Sequence, residues 1–317
     1  MKFPPVTLPN GHLVRNAEHT EPTLASQANV NTVPGSLLRD VEGHDLPKSG
    51  TSGPDYDASM EQTALHIEHR GPRSSPTVVL VHGAPDRSSG LRSVLPYLAN
   101  HHVVIYDRRG YGQSLHLRQA ESMLDHANDL LGIVEDCEGP PIVVAHSFGS
   151  NPTMLAATLR PSAFAAIGLW EPPTPWVTWW PEEVYAATHR IATSDTPADV
   201  IEDMYRGLLG DQVWDSLRPD VQAKRRAEGM AFQIDMASEL DAPFNFEDVC
   251  VPALVGYGTN TVMHHSEGAL RLVDDLPDAA LYKIPGAGHF APRTHPEEFA
   301  GFIGAVFSMA EPSPRGH

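Results

Sequence analysis

The chain has 317 residues, 41% of them hydrophobic, and 22 Lys and Arg against 40 Asp and Glu give a formal net charge of −18. The length suits one large domain with a subdomain or two domains, and the acidic balance argues against nucleic-acid binding. Two cysteines, no long apolar run and no secretory signal at the start favour a cytoplasmic protein with reduced thiols that does not enter a membrane.

Residues 1–57 are rich in Pro, Gly, Asn and Ser, and we expect them to form an extended or partly disordered arm. A regular alternation of strands and helices begins after this arm. Four short apolar runs are typical of strands buried on both faces, and they read TVVLV, HVVIY, PIVVA and FAAIGLW. Helical segments separate them. The alternation predicts an α/β protein with a mostly parallel sheet flanked by helices.

The alternation stops after Pro175, and residues 176–247 have helical character throughout. We call residues 176–247 the helical insertion. Strand-like PALVGY and ALYKIP follow, and the helical pattern EEFAGFIGAVFSMA closes the chain. We therefore predict a core formed by residues 58–175 and 248–317, with the helical insertion as a lid over the carboxyl ends of the strands.

Ser147 stands directly between an apolar run and a helical pattern, in PIVVAHSFGSNPTM. Its neighbours two positions away, Ala145 and Gly149, are both small, as a tight strand-to-helix turn requires. The segment resembles the nucleophile elbow G-x-S-x-G of the α/β-hydrolase family, with Ala in place of the first Gly. The alternative is an ordinary Ser that caps the helix.

The family resemblance implies the partners of Ser147. His289, in KIPGAGHFAP after the last predicted strand, stands where the family has the base that accepts the serine proton. The turn VLVHGAPDRS is similar to the family's His-Gly turn. The backbone N–H groups of Ala84 and Phe148 would form the oxyanion hole, and Gly83 would allow close backbone approach. The resemblance covers roughly residues 63–310.

The acid of the expected triad is missing from its usual place. In many family members it follows the strand that resumes after the insertion, but here that segment reads GYGTNT, and Thr261 stands roughly where the Asp would be. Asn260 could orient His289 by a hydrogen bond, without supplying charge.

An alternative acid, Glu171, lies at the carboxyl end of the preceding strand, in LWEPPTPW. Active sites of parallel sheets lie at these strand ends. Some haloalkane dehalogenases and zearalenone-type lactonases of the same fold take their acid from this earlier strand. We therefore predict Glu171 as the acid, the alternative being a solvated residue at the hinge of the insertion.

The identity of the nucleophile narrows the reaction. Epoxide hydrolases and dehalogenases of this fold use Asp at the elbow, so Ser147 favours acyl transfer to water. We predict a serine hydrolase that cleaves an ester or lactone of a largely apolar small molecule. The alternatives are a carbon–carbon bond hydrolase and a non-hydrolytic relative, such as a cyclase, lyase or ligand receptor. No metal or cofactor motif is present, and none is expected.

Four side chains are candidate substrate contacts, although each has an equally simple structural role as packing or a solvated turn: Asp86, Trp170, Trp176 and Trp180. His264 and His265 follow the resumed strand and are expected to be solvated. The sequence leaves open the identity of the substrate, the oligomeric state and the role of the arm.

Overall fold

The computed structural model describes residues 64–310, so the predicted arm lies outside the described residues. Within this range the chain forms a seven-stranded sheet of order β1-β3-β2-β4-β5-β6-β7. Strand β1 is antiparallel to β3, and the other neighbouring strands run parallel. The strands are β1 (Ile67–Arg70), β2 (Thr77–Val81), β3 (His102–Tyr106), β4 (Ile142–His146), β5 (Ala166–Trp170), β6 (Ala253–Gly258) and β7 (Ala279–Ile284).

The central strands are buried on both faces because helices cover the sheet from both sides. One face packs against α1 (Met123–Glu135), α2 (Ser150–Leu159) and α8 (Met263–Asp275). The opposite face packs against α10 (Pro296–Ala310), α9 (Ala291–Thr294) and a 3₁₀-helical segment at Ser88–Leu98. The predicted α/β fold with a mostly parallel sheet is thus confirmed.

Between β5 and β6 the chain contains no strand; a short 3₁₀-helical segment at Phe246–Asp248 leads into β6, and five α-helices lie within the helical insertion. They are α3 (Glu182–Ala192), α4 (Pro197–Leu209), α5 (Asp211–Ser216), α6 (Pro219–Ala227) and α7 (Gly229–Ser238). Their apolar side chains form a separate cluster that includes Ile201, Trp214 and Phe232, and this cluster contains Phe148 from the core. The insertion therefore packs directly against the residue that follows Ser147.

The parallel strands bring their carboxyl ends to one edge of the sheet. Ser147 follows β4, Glu171 follows β5, and both strands lie between β2 and β6. The residue pairs of β5 and β6 run in register up to Trp170 opposite Gly256. The candidate residues at these ends consequently come from adjacent strands. Among residues 64–310, no helix is both long enough and apolar enough to span a bilayer.

Candidate active site

Ser147 occupies a strained turn immediately after β4. Its φ angle is +53°, a left-handed conformation that costs a residue with a side chain about 1–3 kcal/mol. Gly149 is required close by, because a Cβ atom there would lie 2.6 Å from the carbonyl oxygen of His82. Helix α2 begins at Ser150 and has Gly149 as its N-cap. Ser147 therefore does not cap this helix, and it has the position and conformation of a nucleophile elbow.

Glu171 adopts a second left-handed turn, with φ of +47°, directly after β5. Its side chain is fully buried, which excludes the solvated hinge residue considered from the sequence. Glu171 Oε2 accepts a hydrogen bond of 2.8 Å from His289 Nδ1. Since a carboxylate only accepts, Nδ1 carries the proton and the neutral imidazole keeps Nε2 as its acceptor. This is the tautomer that a general base at a serine needs.

The loop after β6 supplies hydrogen-bond donors to Glu171. The backbone N–H of Gly258 donates to Oε1 at 2.9 Å, and Thr261 Oγ1 donates to Oε2 at 2.9 Å. Asn260 is exposed, and its backbone N–H donates to the carbonyl of Ala287 at 2.8 Å. The segment that lacks the usual acid thus donates two hydrogen bonds to the candidate acid on the neighbouring strand.

The backbone carbonyl of His289 is tied to both neighbouring strands. His146 Nε2 donates to this oxygen at 2.8 Å and Trp170 Nε1 at 3.3 Å. His146 directly precedes Ser147, and Trp170 directly precedes Glu171. One carbonyl oxygen therefore joins the loop of the candidate base to the strand ends of the candidate nucleophile and acid. Sequence reasoning missed His146, and it selected Trp170 only as a candidate substrate contact, not as a donor to the loop of His289.

The ring of His289 lies between two other imidazoles. His265 stacks on it, with ring centroids 4.4 Å apart and planes inclined by 12°, and His146 lies 4.7 Å away on a tilted plane. Burial, followed by the neighbouring His289, holds the pKa of His265 well below its ordinary value. The same causes lower the pKa of His146 to about 3. Both neighbours are therefore uncharged at neutral pH.

The expected solvation of His264 and His265 is wrong. Both side chains are half-buried, and their rings contact the indole of Trp180, with centroids 5.0 and 6.4 Å away. The start of α8 points them towards the candidate base, which an isolated His-His pair in a sequence does not reveal.

Within residues 64–310, three potential ligand atoms from Glu171, His265 and His289 lie within 4.8 Å of one another, a separation at which they could coordinate one metal ion. The geometry does not suit one. The two imidazole planes are nearly parallel, so their in-plane lone pairs do not converge on one point, and Glu171 already accepts the proton of His289. The arrangement fits a hydrogen-bonded acid–base pair.

The turn after β2 lies against the nucleophile. A Cβ atom on Gly83 would lie 2.9 Å from that of Ser147, so the backbone of this turn can approach a group bound at the serine only because Gly83 has no side chain. His82 Nδ1 donates to the carbonyl of Gly83 at 2.8 Å, while Nε2 accepts the backbone N–H of Arg108 at 2.9 Å. Burial and then the charge of Arg108 lower the pKa of His82 to about 4. A neutral His82 thus orders the turn that leads to Ala84.

Two of the candidate substrate contacts have structural partners instead. The fully buried ring of Trp170 packs edge-on against Phe299 and Phe302, so the sequence-based expectation that it contacts substrate is wrong. Asp86 forms an ion pair of 2.6 Å with Arg293. Burial opposes the charge of Asp86, but Arg293 together with the other nearby positive groups, among them Arg87, outweighs it and lowers the pKa of this carboxyl.

The remaining two candidates lie at the start of the helical insertion. Trp176 packs against Phe244 and Phe246, and Trp180 is only 7% exposed and contacts His264. Trp180 therefore contacts His265, the ring that stacks on His289. Trp176 instead packs against aromatic side chains from the end of the insertion.

Comparison with known proteins agrees with this fold. A model of the alpha/beta hydrolase family matches residues 78–302. The chain belongs to the alpha/beta hydrolase family. The match contains every residue of the site described above. It ends within α10, and it includes the helical insertion.

Individual relatives of this alpha/beta hydrolase are distant. The uncharacterized hydrolase YugF of Bacillus subtilis is 23% identical over 75% of this chain and 92% of its own length. The probable oxidoreductase EphD of Mycobacterium tuberculosis is 36% identical, but the match spans only 29% of this chain and 16% of EphD. A thermophilic esterase from Thermogutta terrifontis has the same fold, with a TM-score of 0.62 and 21% identity over 78% of this chain and 94% of that one.

Proposed function

We propose that this protein is a serine hydrolase that cleaves an ester or lactone of a largely apolar small molecule through an acyl-enzyme. The observation that carries the proposal is the hydrogen bond from His289 to the buried carboxylate of Glu171, at the sheet edge where Ser147 occupies a strained turn. The carboxylate of Glu171, the tautomer of His289 and the strained turn at Ser147 are those that a Ser-His-Glu triad needs.

In the proposed reaction, Ser147 Oγ attacks the carbonyl carbon while its proton passes to His289 Nε2. The resulting oxyanion is bound by the backbone N–H groups of Ala84 and Phe148. The intermediate then collapses, and the leaving alkoxide takes the proton from His289. In the second half, His289 takes a proton from water, the hydroxide attacks the acyl carbon, and Ser147 regains its proton as the acid departs.

Glu171 stabilises the imidazolium that forms in both halves and keeps Nδ1 protonated. The nucleophile separates this proposal from epoxide or halide chemistry, in which an Asp at the elbow forms the covalent ester. The preference for a lactone over an open-chain ester rests on the shared placement of the acid after the earlier strand, which is an analogy.

A fluorophosphonate probe tests the proposal. Wild-type protein should be labelled at Ser147, Ser147→Ala should not be, and both should have the same circular dichroism spectrum. A panel of aryl esters and lactones run on the same two proteins then defines the substrate class. Folded wild-type protein that neither reacts with the probe nor hydrolyses any member of the panel would contradict the assignment.

A further inference from the structure

Arg108 lies directly behind the proposed oxyanion hole. It follows β3, its side chain is 1% exposed, and its guanidinium donates to two consecutive backbone carbonyls. Nε bonds the carbonyl of His82 at 3.2 Å, and Nη2 bonds that of Gly83 at 2.9 Å. The triad chemistry does not involve this buried cation.

The peptide between Gly83 and Ala84 connects Arg108 to one proposed oxyanion donor. This peptide is trans and planar, so its C=O and N–H point in opposite directions. A guanidinium on the carbonyl of Gly83 therefore fixes the direction of the Ala84 N–H. The positive charge also polarises the peptide, which strengthens that N–H as a donor.

Arg108 also contacts the residue that carries the other proposed donor. Its guanidinium carbon lies 4.7 Å from the centroid of the Phe148 ring, within the range of a cation–π contact. One buried side chain thus holds both segments whose N–H groups would meet the oxyanion.

Arg108 is itself held by the helical insertion. Asp235, fully buried on α7, accepts hydrogen bonds from Nη1 at 3.2 Å and Nη2 at 2.8 Å. Tyr111 Oη and His126 Nε2 also donate to this carboxylate, at 2.7 and 3.0 Å. Burial opposes the charge of Asp235, but Arg108 and His126 outweigh it and hold its pKa below the usual range. A charged, fully bonded carboxylate of the insertion therefore sets the position of Arg108.

We infer that Arg108 is a positioning residue for the oxyanion hole and that Asp235 couples it to the helical insertion. When α7 packs against the core, Asp235 holds the Arg108 guanidinium against the carbonyl of Gly83. The Ala84 N–H then points at the oxyanion. When α7 moves away, the guanidinium loses its carboxylate, and the hydrogen bond from His82 Nδ1 to the carbonyl of Gly83 alone holds the peptide less firmly. The insertion thereby controls the chemical step. This inference rests on the proposed serine hydrolase activity.

The test removes both charges together, because a single substitution leaves the other charge buried and unpaired. In Arg108→Met/Asp235→Leu, similar apolar volume replaces the pair, and circular dichroism checks the fold. We expect kcat for an aryl ester to fall by about 10- to 100-fold, less than the roughly 100- to 1000-fold cost of deleting a donor outright. KM should stay within about threefold, since ground-state contacts are untouched.

Tyr111→Phe is the matched control. It removes one hydrogen bond to Asp235 and leaves the pair with Arg108 intact, so its kcat should stay within about twofold of wild type. Titration with the fluorophosphonate gives the concentration of competent sites in each protein. A loss of correctly folded molecules would lower that concentration without changing kcat per site.

A trifluoromethyl ketone supplies a second readout, because its hemiketal with Ser147 presents an oxyanion. Across wild type, Tyr111→Phe and the double variant, its inhibition constant should rise in parallel with the fall in kcat/KM. A folded double variant with wild-type kcat and ketone affinity overturns the inference while leaving the hydrolase assignment intact. Wild-type protein that reacts with neither probe nor ester overturns that assignment, and the inference with it.

Discussion

Thr261 Oγ1 lies 2.9 Å from Glu171 Oε2, the same carboxylate oxygen that accepts the hydrogen bond from His289. Thr261, which stands roughly at the family's usual acid position, is therefore a donor to the candidate acid of the neighbouring strand. The two elements meet because β5 and β6 are adjacent and in register.

Thr261→Val tests this relationship, since it replaces the hydroxyl by a methyl group of similar size. A lost hydrogen bond to a buried carboxylate costs about 1 to 3 kcal/mol, so kcat should fall by roughly 5- to 160-fold if that cost falls on the transition state. Thr261→Ser keeps the donor and should retain most of the wild-type kcat. Ester kinetics on the three proteins give the comparison, and equal rates for the Val and Ser variants would remove Thr261 from the site.

Glu171→Gln should abolish most turnover. The amide can no longer stabilise the imidazolium, and it favours the wrong tautomer of His289, a change that costs about 10⁴-fold in kcat in a serine protease triad. Asn260→Ala is the control, because Asn260 is exposed and the Glu171 carboxylate already partners His289. If the Asn260 variant loses activity and the Glu171 variant keeps it, the acid has been misassigned.

The sequence was sufficient to select Ser147, His289 and Glu171 as candidates, because each follows a predicted strand, and parallel strands bring their carboxyl ends to one edge of the sheet. It could not identify contacts that depend on side-chain direction. Trp170 seemed a substrate contact beside the acid, yet the pleat of β5 turns its ring into the core. His265 looked solvated, because nothing local shows that the start of α8 faces the base.

Local sequence patterns could not reveal pairs of residues that lie far apart along the chain, for a different reason. Arg108 and Asp235 are 127 positions apart, and their pairing depends on how the helical insertion folds back onto the core. The sequence shows that each residue is charged. A buried charge requires a partner, but the sequence does not show that these two side chains are buried.

The low pKa values of two buried histidines predict the acid sensitivity of the fold. His146 and His82 have folded-state pKa values of about 3 and about 4, against an ordinary value of 6.5. Below pH 6.5 the unfolded chain takes up protons at these positions and the folded chain does not. Each histidine therefore lowers the free energy of unfolding by up to about 1.4 kcal/mol per pH unit as the pH falls.

Urea unfolding of wild type and His146→Gln between pH 6.5 and 4.5 measures this effect, before most carboxylates titrate. The Gln amide can still donate to the carbonyl of His289 but takes up no proton. Its free energy of unfolding should therefore depend less steeply on pH than that of wild type. Identical slopes would mean that His146 takes up its proton over the same pH range in the folded and unfolded protein.

Gly258→Ala should damage both stability and activity. A Cβ atom at this position would collide with the carbonyl oxygen of Ala287, on the loop that leads to His289. The backbone must move, and the Gly258 N–H then leaves Glu171. Gly132→Ala is the opposite control, since it lies within α1 with no atom near its added Cβ, and it should stabilise the fold by about 1 kcal/mol. Thermal unfolding and ester kinetics on both variants separate these outcomes.

The adjacency of Thr261 and Glu171 also predicts that the acid can be moved between strands. In Glu171→Gln/Thr261→Asp, the new carboxylate at position 261 lies beside the position that the Glu171 oxygen occupies in wild type. It can accept the proton of His289 Nδ1 and restore charge stabilisation, so kcat should recover by at least about tenfold over Glu171→Gln. Thr261→Asp alone is the control, because two adjacent buried carboxylates repel and should lower kcat below that of wild type. A double variant no faster than Glu171→Gln would mean that only the carboxylate after β5 can orient His289.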